Sequence, residues 1–199
     1  FKVMSAGAKK LGYKDCNTGH MAINSTIHDG RSHCYQRGFC FQGCRFGAKW
    51  STLYTEIPQA HATGRMELRP QSHVIRIEHD SEGKVTAVLY HDAQGKLQRQ
   101  RARIVAIAGN AIETPRLLLN SASNMYAQGL ANSSDQVGRN YMRHTTGTVY
   151  GVFEQPVEMF KGTTMAGIIE DEAHHAPQRG FAGGYHLETI ALGLSLIHI

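Results

Sequence analysis

With 199 residues, 41% of them hydrophobic and 19% charged, the chain can bury a core without cross-links, and its composition is too ordinary for intrinsic disorder. The net charge of +5 comes from lysines and arginines scattered along the text, with no basic run and no aromatic-basic interleaving, so no nucleic-acid partner is expected and the surface reads as solvated and basic. No apolar stretch approaches the roughly 20 residues of a membrane span, and no signal peptide opens the text.

The opening FKVMSAGAKKLGYK predicts a helix that stops at Gly12. Residues 15–49 are rich in Gly, Cys, His and Asn without periodicity, and a loop that long inside a compact domain is usually functional. STLYTEIPQAHATG predicts a short helix with Ser51 or Thr52 as N-cap, Pro58 limiting it and Gly64 ending it. MELRP, HVIRIEHD, KVTAVLYHD and KLQRQRARIVAIAG read as strands. The connectors DSEGK and HDAQGK are Gly-bearing turns, so residues 74–108 read as an antiparallel meander.

Residues 104–108, Ile-Val-Ala-Ile-Ala, are apolar on both faces, as in a strand buried on both sides of a sheet. After Gly109, NAIETPRLLLNSA predicts a helix with Thr114 as N-cap and Pro115 at its first position. A buried strand, a small-residue turn and a helix N-terminus with unpaired N–H groups suit a bound cofactor, although packing alone would ask for the same pattern. The polar loop GLANSSDQVGRNYMRH follows, and TTGTVYGVFEQPVEMF reads as a strand opening a different sheet, which places a domain boundary near Arg143. The text starts at Phe1 without Met, and LSLIHI, residues 194–199, resembles a translated adapter sequence. The expectation is a chain cut from a longer protein, with residues 1–143 in one domain, 144–193 beginning a second, and 194–199 a scar.

The run AGNAIETPRLLLNSASN resembles the second signature of the glucose-methanol-choline (GMC) oxidoreductases, and VGRNYMRH is similar to that family's Gly-Arg-Asn segment ending in His. Ala122 departs from the Gly that many members carry after Ser. The resemblance implies an FAD-dependent dehydrogenase of α/β (α+β) class: a Rossmann-like flavin domain with an inserted antiparallel meander, then an antiparallel substrate domain. It implies that Val74 presents its backbone to the adenine of FAD and that Ala108, Gly109 and Asn110 pass near the dinucleotide. The family's G-x-G-x-x-G and its catalytic His are not in this text, the latter expected beyond the C-terminus, so the piece by itself is expected to be inactive. His144 is expected to position a loop rather than act as the base.

Three of the four cysteines, Cys34, Cys40 and Cys44, lie in SHCYQRGFCFQGCRFGAKWST. A disulfide framework is not expected in a chain of this size. Zinc would need His33 as a fourth ligand directly beside Cys34. Inert buried thiols would be oddly placed in a Gly-rich loop, whereas thiolates on such a loop suit an iron-sulfur cluster, and three of them match [3Fe-4S]. The FAD-bearing large subunits of bacterial membrane-associated sugar and gluconate dehydrogenases carry a similar Cys-rich insertion. That resemblance implies a sugar, sugar-acid or polyol substrate, electron relay to a cytochrome c subunit, a small subunit, and a periplasmic location with membrane association only through partners; without export it would be cytoplasmic. Arg37, Arg45 and Lys49 would raise the cluster's potential. His174 and His175 read as solvated, and Trp50 as packing for the loop. Two rivals stay open: a GMC oxidase with structural cysteines, and a zinc-holding interaction module.

Overall fold

A computed structural model describes residues 1–190; the expected scar at 194–199 lies outside the described residues. The chain forms two compact units. One is Glu67–Val149, and the other joins Phe1–Met66 to the segment from Tyr150 onward.

The first of these is built on the predicted meander, with strands β2 (His73–His79), β3 (Val85–His91) and β4 (Leu97–Arg101) in antiparallel order β2-β3-β4. Its two hairpin turns use one device. Asp80 Oδ1 accepts the backbone N–H groups of Glu82 and Lys84 at 3.0 and 2.9 Å, and Asp92 Oδ1 accepts those of Gln94 and Lys96 at 3.0 and 2.9 Å. Gly83 and Gly95 then adopt φ of +82° and +76°, which costs little without a Cβ. Helix α3 (Asn110–Asn120) packs against β2, with Ile77, Ala87 and Leu130 buried in this unit. Buried Ser121 ties the two elements, accepting the Ile77 N–H at 2.9 Å and donating to the Leu117 carbonyl at 2.7 Å.

Three expectations fail in this unit. MELRP is irregular rather than a strand. Residues 104–108 are irregular and unpaired rather than a strand, and Ile104 is 87% exposed, because no described strand offers a ladder beside them. Helix α3 begins at Asn110 instead of being capped by Thr114. Asn110 Oδ1 accepts the N–H groups of Ile112 and Glu113 at 2.8 and 3.0 Å, which is the bonding of an N-cap, so Pro115 falls inside the helix rather than at its first position.

In the other unit, α1 (Lys2–Lys10) ends as expected before Gly12, whose φ is +84°. Two-residue strands β1 (Cys16–Asn17), β5 (Ile168–Ile169) and β6 (Leu187–Glu188) form a small antiparallel sheet in the order β1-β5-β6. Asp171 anchors it, its carboxylate accepting the backbone N–H groups of Lys14 and Asp15 at 2.8 Å each. Helix α2 (Glu56–Ala62) starts a turn later than the Ser51 or Thr52 cap predicted. Ser51 instead closes the preceding turn, accepting the Leu53 N–H at 3.3 Å, and Pro58, which has no N–H to give, is tolerated in the first turn of the delayed helix. The strand expected in TTGTVYGVFEQPVEMF, which begins in the Glu67–Val149 unit and continues into this one, is absent: Val149 and Val152 are 94% and 100% exposed, and no described strand pairs with them. Among the described residues no helix is long and apolar enough to cross a membrane.

Candidate functional site

The residues expected to meet a flavin sit in the Glu67–Val149 unit. Antiparallel ladders alternate, each residue turning its backbone N–H and C=O to one neighbour and the next residue turning them to the other side. Ile77 turns its N–H away from β3, to Ser121, whereas Thr86 on β3 accepts the Ala102 N–H from the β4 side at 3.0 Å. By that alternation Tyr90 faces β4, and Val74, opposite it in the register, turns its N–H and C=O to the outer edge of β2. A register shift between Val74 and Arg76 sets the edge residue in place. Val74 therefore has the outward backbone that recognition of a base edge needs.

At the other end of α3, Ala108 and Asn110 are exposed and Gly109 is half-buried. A Cβ on Gly109 would come within 3.2 Å of Glu113 Cβ and 3.4 Å of the Thr114 nitrogen, so glycine keeps this turn close to its helix. Asn110 holds φ at +75°. The expectation of unpaired helix amides is corrected here. The Gly109 N–H donates to Thr114 Oγ1 at 3.1 Å, and Asn110 occupies the amides of Ile112 and Glu113. The turn itself carries small residues at 108 and 109 beside the positive end of the helix dipole. The β2–α3 tie at Ser121 lies at the C-terminal end of α3, roughly 16 Å along the axis from Asn110.

In the other unit, Cys34, Cys40 and Cys44 line one cavity of about 50 Å³ together with Arg37, Arg45 and Lys49. Cys16, in β1, is not part of it. The loop that bears the three thiols is held by its backbone. Asn24 donates its N–H to the Ala48 carbonyl at 2.9 Å and accepts the Cys34 N–H at 2.9 Å, so it lies between the segments of Cys34 and Cys44. Arg31 ties the same segments, donating to the Gly47 carbonyl at 2.9 Å and to Asn24 Oδ1 at 3.4 Å. Lys49 donates through Nζ to the Cys40 carbonyl at 2.7 Å. Gly38 is buried against the backbone of Phe160, close enough that a Cβ would sit 2.9 Å from its carbonyl carbon, and its φ is +71°.

The thiols differ in surroundings. Cys34 Sγ accepts the Gln36 N–H at 3.3 Å. Partial burial pushes the Cys44 thiol up, but the backbone N–H groups of Lys49, Phe46, Ala48 and Gly47 together outweigh burial and hold it below its ordinary value. Three soft sulfur donors around one cavity beside three cations are chemically suited to an iron-sulfur group. Among the described residues, however, no group of three His, Cys, Asp or Glu side chains is placed to hold a metal ion. His33 is exposed and stacks on Tyr35, with ring centroids 4.6 Å apart, instead of joining the thiols. His144 is exposed in irregular chain.

A family model described as GMC oxidoreductase matches residues 1–146. The chain belongs to the GMC oxidoreductase family. It is 37% identical over 135 residues to the fructose dehydrogenase large subunit of Gluconobacter japonicus, covering 68% of this chain and 24% of that protein. It is 35% identical over 140 residues to the 6'''-hydroxyparomomycin C oxidase of Streptomyces lividus, covering 69% and 26%. It is 32% identical over 171 residues to the 2-methyl-1,2-propanediol dehydrogenase of Mycolicibacterium austroafricanum, covering 84% and 31%. The chain thus spans about a quarter to a third of the curated relatives it matches. Within this GMC chain, sequence reasoning missed Asn24, Arg31 and Ser121, which act through long-range backbone bonds that no local pattern announces.

Proposed function

We propose that the full protein is an FAD-dependent dehydrogenase acting on a CH–OH group of a sugar, sugar acid or polyol, with an iron-sulfur cluster held by Cys34, Cys40 and Cys44 serving electron exit toward a cytochrome. Two of the relatives are named for oxidation of a sugar and of a diol, which supports that substrate class. Bound FAD supplies the hydride acceptor for the alcohol carbon. Of this chain's own residues, Val74 would present its outward N–H and C=O to the adenine, and the Ala108-Gly109-Asn110 turn would run beside the dinucleotide. The unpaired, apolar residues 104–108 would complete a Rossmann-like sheet by pairing with parallel strands.

One observation supports the dehydrogenase reading over that of an oxygen-using oxidase: Cys34, Cys40 and Cys44 all line one cavity together with Arg37, Arg45 and Lys49. Cysteines serving packing alone would have no need to share a cavity with three cations. A cluster there would supply one-electron steps, and the exposed Arg37 and Arg45 would favour its anionic reduced state. The same reading carries a cytochrome c subunit, a small subunit, and a periplasmic location with membrane attachment through those partners.

The test compares the full protein with its Cys40→Ser variant under anaerobic conditions. Substrate should still bleach the flavin in the variant, while cytochrome c reduction falls at least ~10-fold, the scale on which altered metal surroundings act. Equal cytochrome reduction by both proteins would favour the oxidase reading, with the cysteines structural.

A further inference from the structure

Lys49 is bonded to the loop of the three cysteines through both its side chain and its backbone. Its ammonium is not turned to solvent: Nζ donates to the Cys40 carbonyl at 2.7 Å. Its backbone N–H is also directed at the Cys44 side chain. Its backbone also bridges Ile23 in antiparallel fashion, and Ile23 is followed by Asn24, which accepts the Cys34 N–H at 2.9 Å. One residue is therefore bonded to the segments of Cys40 and Cys44 directly and is one peptide removed from the anchor of Cys34. Arg37 and Arg45 line the same cavity, and both are exposed.

We propose that Lys49 is the positioning residue of the cysteine-lined cavity, fixing the 40–44 segment against the Ile23-Asn24 backbone so that the three cysteines line one space. Its role is a bond to a carbonyl rather than a charge directed at the cavity. A neutral side chain at position 49 would free the Cys40 carbonyl, and the 35–43 stretch would lose one of its attachments between Gly38 and Cys44. The inference rests on the reading of these thiols as a functional set. Its geometric part stands on the bonds above, whatever occupies the cavity.

The experiment uses the full protein, reduced and freed of metal, as wild type, Lys49→Met and Lys49→Arg, with iodoacetamide labelling of each cysteine followed by peptide mass analysis. Cys16, in the β1 strand, is the internal control. In Lys49→Met, labelling of Cys40 and Cys44 should quicken together by ~10-fold or more over wild type, with Cys16 unchanged. Lys49→Arg, whose guanidinium can donate to the same carbonyl, should restore the wild-type rates. Uniform quickening of all four cysteines marks general unfolding and overturns the assignment, as do unchanged rates in Lys49→Met. Iron content of the untreated proteins separates the two readings. No iron in wild type defeats the cluster while the labelling still decides the role of Lys49. Full iron and an unchanged paramagnetic signal in Lys49→Met, with iron present in wild type, defeat Lys49 alone.

Discussion

Replacing Ser121 by Ala tests how β2, the strand that carries Val74, is fixed. The Ser121 hydroxyl is 1% exposed and makes two bonds, accepting the Ile77 N–H at 2.9 Å and donating to the Leu117 carbonyl at 2.7 Å. Ile77 is itself 2% exposed, so its N–H has no route to water once the acceptor is gone. An unsatisfied buried backbone donor costs about 1–3 kcal/mol, and the Leu117 carbonyl loses a donor at the same time, so a destabilisation of about 2 kcal/mol is expected. With a urea dependence of about 2 kcal/mol per molar, the unfolding midpoint of the domain should fall by about 1 M. Urea titration of the full protein, read by flavin fluorescence and by hydrogen exchange at the Ile77 amide, measures both the size and the place of the loss. Exposed Ser134→Ala is the control and should shift the midpoint by less than ~0.25 M, as surface changes do. A midpoint unchanged in Ser121→Ala, or an Ile77 amide as protected as in wild type, would refute the claim that this hydroxyl pins strand to helix.

Asn110→Ala should cost about 1 kcal/mol by freeing the amides of Ile112 and Glu113, seen as a lower thermal midpoint. Flavin affinity should fall in step if the turn at 108–110 lies against the dinucleotide, and a variant with full affinity would remove the turn from the site. Asp171 is held below the usual carboxylate range, chiefly by the Lys14 N–H and further by that of Asp15, which are bound in the folded chain only. A depressed carboxylate contributes stability above its unfolded pKa, near 4, and that contribution disappears as pH falls through the lower folded value. Asp171→Asn should therefore show a flatter acid limb below about pH 4 in urea midpoints taken against pH, and a limb as steep as wild type would contradict the assignment. Gly38→Ala should loosen the cysteine loop, because the added Cβ meets the Phe160 backbone at a φ of +71°, and faster protease cleavage near residue 38 would report it.

The parts of the fold that were legible in the sequence are those fixed by a few neighbouring residues. DSEGK and HDAQGK each place an Asp and a Gly at the offsets that a hairpin turn requires, and β2, β3 and β4 followed from them. Gly12 and Gly64 stopped their helices for the same local reason. The start of α3 was misplaced because Asn110 and Thr114 are both competent caps, and only the geometry of the chain shows Asn110 bonding forward while Thr114 bonds back to Gly109. Residues 104–108 and the TTGTVYGVF stretch carry strand composition, yet a strand is a relation between two segments, and no described partner stands beside either. In the cysteine loop the sequence picked out the thiols, and the structure gathers all three around one cavity. The bonds that do this run from Asn24 to Ala48 and from Lys49 to Cys40, between residues no periodic pattern relates.

The most direct test of the account is the stoichiometry of the full protein purified without oxygen: flavin by absorbance, iron and acid-labile sulfide by analysis, and paramagnetic resonance of the oxidised sample. One FAD and about three irons per chain are expected, with a resonance signal that is lost together with the iron in Cys40→Ser. FAD bound at full occupancy with no iron, and cysteines that all react as free thiols, would contradict the cluster at Cys34, Cys40 and Cys44.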